Sequence, residues 1–178
     1  LPLVLPLALW QPPRPAPGQF ELLAADVGQG SAVIVRTARH SLLYDAGPRY
    51  SLESDAGHRV LVPLLRALGE RLDSGVLSHR DGDHTGGARA VLAAQPQAEL
   101  RASIEDGHEL QALRPATRCQ AGQRWQWDGV AFALLPPDAA APARPPHSNP
   151  LTCVLRVRAA DGPPPLLPAP LQQPHGPP

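Results

Sequence analysis

Proline does more than any other residue to limit what this chain can fold into. Residues 1–18 hold six prolines and residues 133–178 hold fourteen, whereas the 114 residues between them hold four. Each proline removes an amide donor and fixes φ, so neither terminal stretch suits the interior of a helix or a central strand. The foldable part is the middle. Residues 1–18 read as a Pro-rich leader, 19–158 as one domain and 159–178 as a Pro, Ala, Leu and Gln tail expected to be disordered. A chain of 178 residues suffices for one core.

The leader opens with an apolar run, Leu1 to Trp10, far short of the ~20 residues of a spanning helix and without the basic start of a signal peptide. It reads either as the last turns of a transmembrane helix, with Trp10 and Arg14 at the interface, or as a disordered leader. Sixteen basic residues, all arginine, balance sixteen acidic ones, so no global field recruits nucleic acid. A local patch is still open, with Arg36, Arg39, Arg49, Arg59, Arg80 and Arg89 as its candidates. Two cysteines, Cys119 and Cys153, are too few for a disulfide scaffold and too far apart for a zinc knuckle; they are either two thiols or one bridge.

Within the middle, Phe20 to Val27, Ala32 to Thr37 and Leu42 to Tyr44 read as an antiparallel meander. Over residues 57–69 the apolar period changes to helical, with Val60, Leu64, Leu65 and Leu68 on one face and Gly69 as the stop. A short strand at Gly75–Leu77, a polar loop and a helix from His84 to Gln95 follow. Trp125–Trp127 and Val130–Leu135 flank Asp128-Gly129, a strong hairpin signal. Leu151 to Val157 makes a last strand.

The chemistry concentrates in Leu77-Ser-His-Arg-Asp-Gly-Asp-His-Thr-Gly-Gly87. Four metal-ligand side chains, His79, Asp81, Asp83 and His84, fall within six residues, directly after a strand and before a helix. A loop can turn alternate side chains toward two centres, and two ions ~3.5–4 Å apart can clamp an attacking hydroxide and a leaving oxygen. A solvated turn with an N-capping Asp would explain Asp81 or Asp83, but not two histidines at this spacing.

This loop resembles the metal motif of the metallo-β-lactamase superfamily, with Asp81 where a second His is usual. With Asp26-Val-Gly-Gln-Gly30, Leu42-Leu-Tyr-Asp-Ala-Gly-Pro48, Val62-Pro-Leu-Leu-Arg-Ala-Leu-Gly69 and Gly122-Gln-Arg-Trp-Gln-Trp-Asp-Gly-Val130, the chain resembles the C-terminal domain of ComEC-type competence proteins over residues 20–157. The fold this implies is α/β, the first part of a metallo-β-lactamase-like αββα sandwich. The implied function is a metal-dependent hydrolase attached to a DNA-uptake channel, cleaving phosphodiesters of the strand that is not transported. Its partners would be single-stranded DNA and the membrane-channel portion, with no small-molecule cofactor, and the domain would lie on the extracytoplasmic side of the inner membrane.

Carried onto this sequence, the resemblance gives His79 and Asp81 to one divalent ion and Asp83 and His84 to another. Asp83 is also the catalytic candidate, placed to orient the hydroxide. Asp81 hardens the first site, so manganese or magnesium gains on zinc, and the metal stays open between them. Asp45 and Asp26 are candidates to support the ligands from behind, or else to act as a turn residue and a strand end. The family's later ligands, a third His, a bridging Asp and a final His, have no counterpart here: Leu166-Leu-Pro-Ala-Pro170 stands where the Asp is expected, and His40, His58, His108, His147 and His175 match no ligand position. That leaves two rivals, an inactive truncated remnant of the domain and a different hydrolase of the same superfamily.

Overall fold

The computed structural model describes residues 12–135 and 152–159. Strands β1 (Glu21–Ala24), β2 (Val33–Arg36) and β3 (Ser41–Tyr44) form the expected antiparallel meander. The hairpin β4 (Arg49–Ser51) and β5 (Ser54–Asp55) stands apart from it. A π-type turn α1 (Gly57–Leu61) runs directly into α2 (Val62–Ala67), which leads to β6 (Ser74–Leu77). Two short helices, α3 (Gly82–Thr85) and α4 (Ala88–Ala94), precede β7 (Glu99–Ala102), α5 (Glu109–Leu113) and β8 (Ala116–Arg118). The six-stranded sheet runs β1-β2-β3-β6-β7-β8 and becomes parallel beyond β3. A second sheet holds β9 (Arg124–Trp127), β10 (Val130–Leu135) and β11 (Val154–Arg158), with β10 in the middle.

The large sheet is covered on both faces, which is why its strands read as near-continuous apolar runs. On one face Ile34, Leu43 and Leu77 pack against Leu61, Leu65 and Val91 of the helices. On the other, Val35, Leu42, Tyr44 and Val76 meet Val130, Phe132, Leu155 and Val157 of the second sheet. The described residues thus supply the α, β and β layers of an αββα sandwich. At the β9–β10 turn Asp128 and Gly129 both have positive φ (50° and 85°), as a two-residue hairpin of the right twist requires.

Two expectations need correction. The buried positions of the first helical stretch are Leu61, Val62 and Leu65, while Val60 and Leu64 are only partly buried. The π-type turn adds a residue per turn, so the 3.6 phase read through residues 57–69 slips at Leu61. The helix expected from His84 to Gln95 is two helices broken at Gly86-Gly87. Both glycines are in backbone contact: an added Cβ would overlap Arg49 N and Pro48 C at Gly86, and Gly57 N and Ala46 O at Gly87. Arg14 is bound into the domain. It donates to Thr37 O (3.2 Å), His40 O (3.0 Å) and Ser41 Oγ (2.8 Å) and lies 3.3 Å from Glu70. Residues 12–18 are therefore fastened to the domain, with Gly18 N–H donating to Asp128 O. The apolar run 1–11 and most of the Pro-rich tail lie outside the described residues, and among those described no helix is long and apolar enough to cross a membrane.

Cys119 and Cys153 are joined in a disulfide, their Cα atoms 6.2 Å apart, resolving the alternative left by the sequence. The bridge ties the end of β8 to the start of β11. Behind the meander, buried Arg36 pairs with Glu70 (2.7 Å) and Glu21 (2.8 Å) at the end of the sheet where β3 and β6 begin.

Candidate metal centre

The parallel strands β3 and β6 end side by side, and each delivers a functional residue at its carboxyl end. Asp45 follows β3; Ser78 and His79 follow β6. Asp45 is fully buried and has φ +58°, which Asp tolerates better than most residues. Its amide donates to Val76 O (2.8 Å), and Ala46 N–H donates to His84 O (2.7 Å), so the turn is locked against the next strand and the metal loop. Strain at a position this constrained points to use.

That use is visible in the hydrogen bonds. Asp45 Oδ1 accepts Ser78 N–H (2.8 Å), and Oδ2 accepts both Ser78 Oγ–H (2.9 Å) and His84 Nδ1–H (2.7 Å). Ser78 has spent its proton on Asp45, so its Oγ accepts from His79 Nδ1 at 2.8 Å. This network assigns both imidazoles the Nδ1–H tautomer and leaves both Nε2 lone pairs facing outward. A single carboxylate orients His84 directly and His79 through one hydroxyl.

Each Nε2 then meets a carboxylate: His79 lies 3.3 Å from Asp81, and His84 lies 3.3 Å from Asp83. Two lone-pair acceptors facing each other repel unless a proton or a metal ion lies between them. One ligand atom from each of His79, Asp83 and His84 falls within 4.8 Å of the others, and the two rings are 4.0 Å apart centre to centre. The histidines are buried, while Asp81 and Asp83 are about half exposed. The group the structure brings together, two imidazole nitrogens of fixed tautomer and the Asp83 carboxylate, fits a divalent ion; Asp81 approaches His79 but is not part of that group.

The environment splits the two histidines. Burial and the neighbouring His84 ring lower the pKa of His79, which favours its neutral form. Burial also acts to lower the pKa of His84, but the hydrogen bond and charge of Asp45 outweigh it and the net shift is upward.

Asp26 sits elsewhere. It is exposed, and its Oδ1 accepts Gly28 N–H (3.2 Å), closing a tight turn at the end of β1. The turn itself does reach the site: Ser31 N–H donates to Asp83 O (3.3 Å), and a Cβ on Gly30 would overlap that same carbonyl. Asp26 shapes the loop that buttresses Asp83. Among the described residues, His40 pairs with Asp128, His58 pairs with Asp55 and His108 caps α5, so none of these three faces the loop. His147 and His175 lie outside the described residues. Sequence reasoning missed Ser78, although its place immediately before the first ligand was the available signal.

The family model of the metallo-beta-lactamase superfamily matches residues 25–159. The chain belongs to the metallo-β-lactamase superfamily. Its superfamily relatives include the competence protein ComA of Neisseria gonorrhoeae, 42% identical over 135 residues that cover 75% of this chain and 17% of that protein. Recombination protein 2 of Haemophilus influenzae is 38% identical over 112 residues, covering 63% of this chain and 14% of that protein. The resemblance to a ComEC-type domain therefore holds, and the chain spans about a sixth of the length of these relatives. Among solved structures of the superfamily, a metallo-beta-lactamase variant from Cronobacter sakazakii superposes with a TM-score of 0.55 at 23% identity, covering 86% of this chain and 61% of that one. At that identity the likeness speaks to the fold alone.

Proposed function

We propose that this domain is a metal-dependent phosphodiesterase that acts on single-stranded DNA during DNA uptake, hydrolysing the strand that is not transported. The observation that carries the reading is the pair of Nε2–carboxylate contacts keyed to Asp45, found on a chain similar to competence and recombination proteins. When bound, divalent ions would supply Lewis-acid polarisation of a phosphoryl oxygen and hydroxide at neutral pH. The chain's own residues do the rest. Asp45 and Ser78 fix the tautomers, His79 and Asp81 hold one ion, His84 and Asp83 hold the other, and the exposed carboxylate of Asp83 orients the nucleophile. Asp81 in place of an imidazole favours manganese over zinc. The Cys119–Cys153 bridge supports an extracytoplasmic location, because cytosolic proteins rarely keep one.

One observation favours a second reading, an inactive remnant: among the described residues a single group, His79, Asp83 and His84, could hold a metal ion, three side chains where two coordination shells would need more. The test is Mn²⁺- or Zn²⁺-dependent cleavage of single-stranded DNA by the purified chain beside a His79→Ala, Asp83→Ala variant. Cleavage by the parent alone supports the hydrolase. Equal cleavage by both sinks the metal-loop mechanism, and none by either supports the remnant.

A further inference from the structure

The hairpin β4–β5 is clamped to the metal loop at its base and free at its tip. Gly86 lies against the Pro48–Arg49 backbone so closely that no side chain fits between them, and Ala56 N–H donates to Pro48 O (2.9 Å). Beyond that clamp, Tyr50 (42% exposed) and Leu52 (87%) are among the few large apolar side chains left in solvent. Neither helps the core. Tyr50 is nonetheless held in place: its hydroxyl donates to Val27 O (2.9 Å), in the same turn whose Gly30 and Ser31 touch Asp83. The guanidinium of Arg59 lies 5.6 Å from the centre of its ring. Arg59 is exposed and has no carboxylate partner among the described residues, whereas Arg49 donates to Ser51 O and Leu52 O of its own hairpin.

An aromatic ring fixed beside the candidate metal loop, with a cation over one of its faces, is a combination by which proteins grip unpaired nucleotides: a base stacks on the other face of the ring and the phosphate answers the charge. Bases in a duplex are already stacked and offer no free face. We propose that Tyr50 and Arg59 form a base-stacking seat for single-stranded nucleic acid, which leads the strand toward Asp83 and His84. The seat rests on the phosphodiesterase reading for its biological purpose, but binding can be measured without hydrolysis. Other arginines do not belong to it. Arg36 is buried on Glu70, Arg39 pairs with Asp128 at the β2–β3 turn, and Arg80 pairs with Glu105.

The experiment is fluorescence anisotropy of a labelled oligothymidylate of about a dozen nucleotides, titrated with the full chain in EDTA. Tyr50→Ala and Tyr50→Leu should each weaken binding about tenfold, within the range of one lost base stack. Tyr50→Phe, which keeps the ring, should stay within about twofold of the parent. Arg59→Gln should reduce the salt dependence by roughly one phosphate contact, a change of about 0.7 in slope. Arg71→Gln, exposed just before β6 at the far end of the sheet, should bind like the parent. Circular dichroism of each variant separates misfolding from lost contact. The seat is overturned if the parent does not bind, or if folded Tyr50→Leu binds as tightly as Tyr50→Phe. Tyr50-dependent binding with no metal-dependent cleavage would keep the seat and remove the phosphodiesterase. Cleavage by Tyr50→Leu at the parent's KM would do the reverse.

Discussion

Replacing Asp45 with Asn changes one oxygen to an amino group and tests whether one carboxylate sets both ligand imidazoles. Asn tolerates the positive φ of this position, so the backbone is not perturbed. The side-chain carbonyl can still accept Ser78 N–H. The new NH₂ instead faces Ser78 Oγ and His84 Nδ1, which both donated to the lost oxygen. Two donors cannot face a third, so His84 must move its proton to Nε2, and the Ser78 hydroxyl must turn toward His79 Nδ1 and push that proton to Nε2 as well. Both nitrogens that face Asp81 and Asp83 then carry hydrogen and cannot ligate. Loss of such outer support typically costs 10–100-fold in metal affinity, about 1.4–2.7 kcal/mol. Calorimetric titration of EDTA-stripped protein with Mn²⁺ or Zn²⁺ reads this directly. A thermal shift gives a second measure: at a hundredfold excess over the parent's Kd, metal stabilises the parent by about 2.7 kcal/mol and Asp45→Asn by only about 0.4–1.4 kcal/mol. Without metal, Asp45→Asn should melt near the parent because its hydrogen bonds re-form. Asp45→Ala strands three buried donors and should lose at least about 3 kcal/mol. Equal Kd for parent and Asp45→Asn would refute the shared-orientation argument.

The disulfide closes a loop of sequence separation 34, for which chain entropy gives about 3.8 kcal/mol; Cys119→Ser, Cys153→Ser should lower Tm correspondingly, and a parent Tm indifferent to reductant would count against the bridge. Gly86→Ala forces the β4–β5 hairpin away from the metal loop, so metal affinity should drop even where circular dichroism remains native; unchanged metal titration would contradict the backbone contact. Burial would raise the pKa of Asp128, but hydrogen bonds from Thr37, His40 and Arg39 outweigh it and hold this carboxyl well below the usual range. A depressed folded pKa stabilises above the unfolded value near 4 and is lost as pH falls through the folded one. The Tm gap between the parent and Asp128→Asn should therefore be widest near neutrality and narrow below about pH 4; a gap that widens in acid would reverse the assignment.

Local features were the legible ones. The meander, the Asp128-Gly129 turn and the clustering of the loop from His79 to His84 each depend on neighbours in sequence, and each was readable from period, turn chemistry or spacing. Strands β7 and β8 were not, because Glu99–Ala102 and Ala116–Arg118 are short and take their identity from parallel pairing across the sheet. The π-type turn escaped because a helical count assumes a constant pitch. In the candidate site, the grouping of His79, Asp83 and His84 was legible from residue type and spacing, while the Ser78 relay was not. Whether a serine hydroxyl serves a ring depends on a buried acid 33 positions away, contributed by another strand. The opposite fates of the arginines had the same origin: nothing local distinguishes Arg36, sealed against Glu70, from Arg59, left in solvent.

The Arg14 clasp gives the domain a mechanical polarity. Arg14, Ser41 and Glu70 lie where β3 and β6 begin, and Asp45 and His79 lie where the same strands end. A pull on the chain ahead of residue 12 loads Arg14 and, through it, the buried Glu70–Arg36 pair, and runs along the length of two strands before it reaches His79. Tension from that side is borne by the base of the sheet, and the loop at its top keeps its shape.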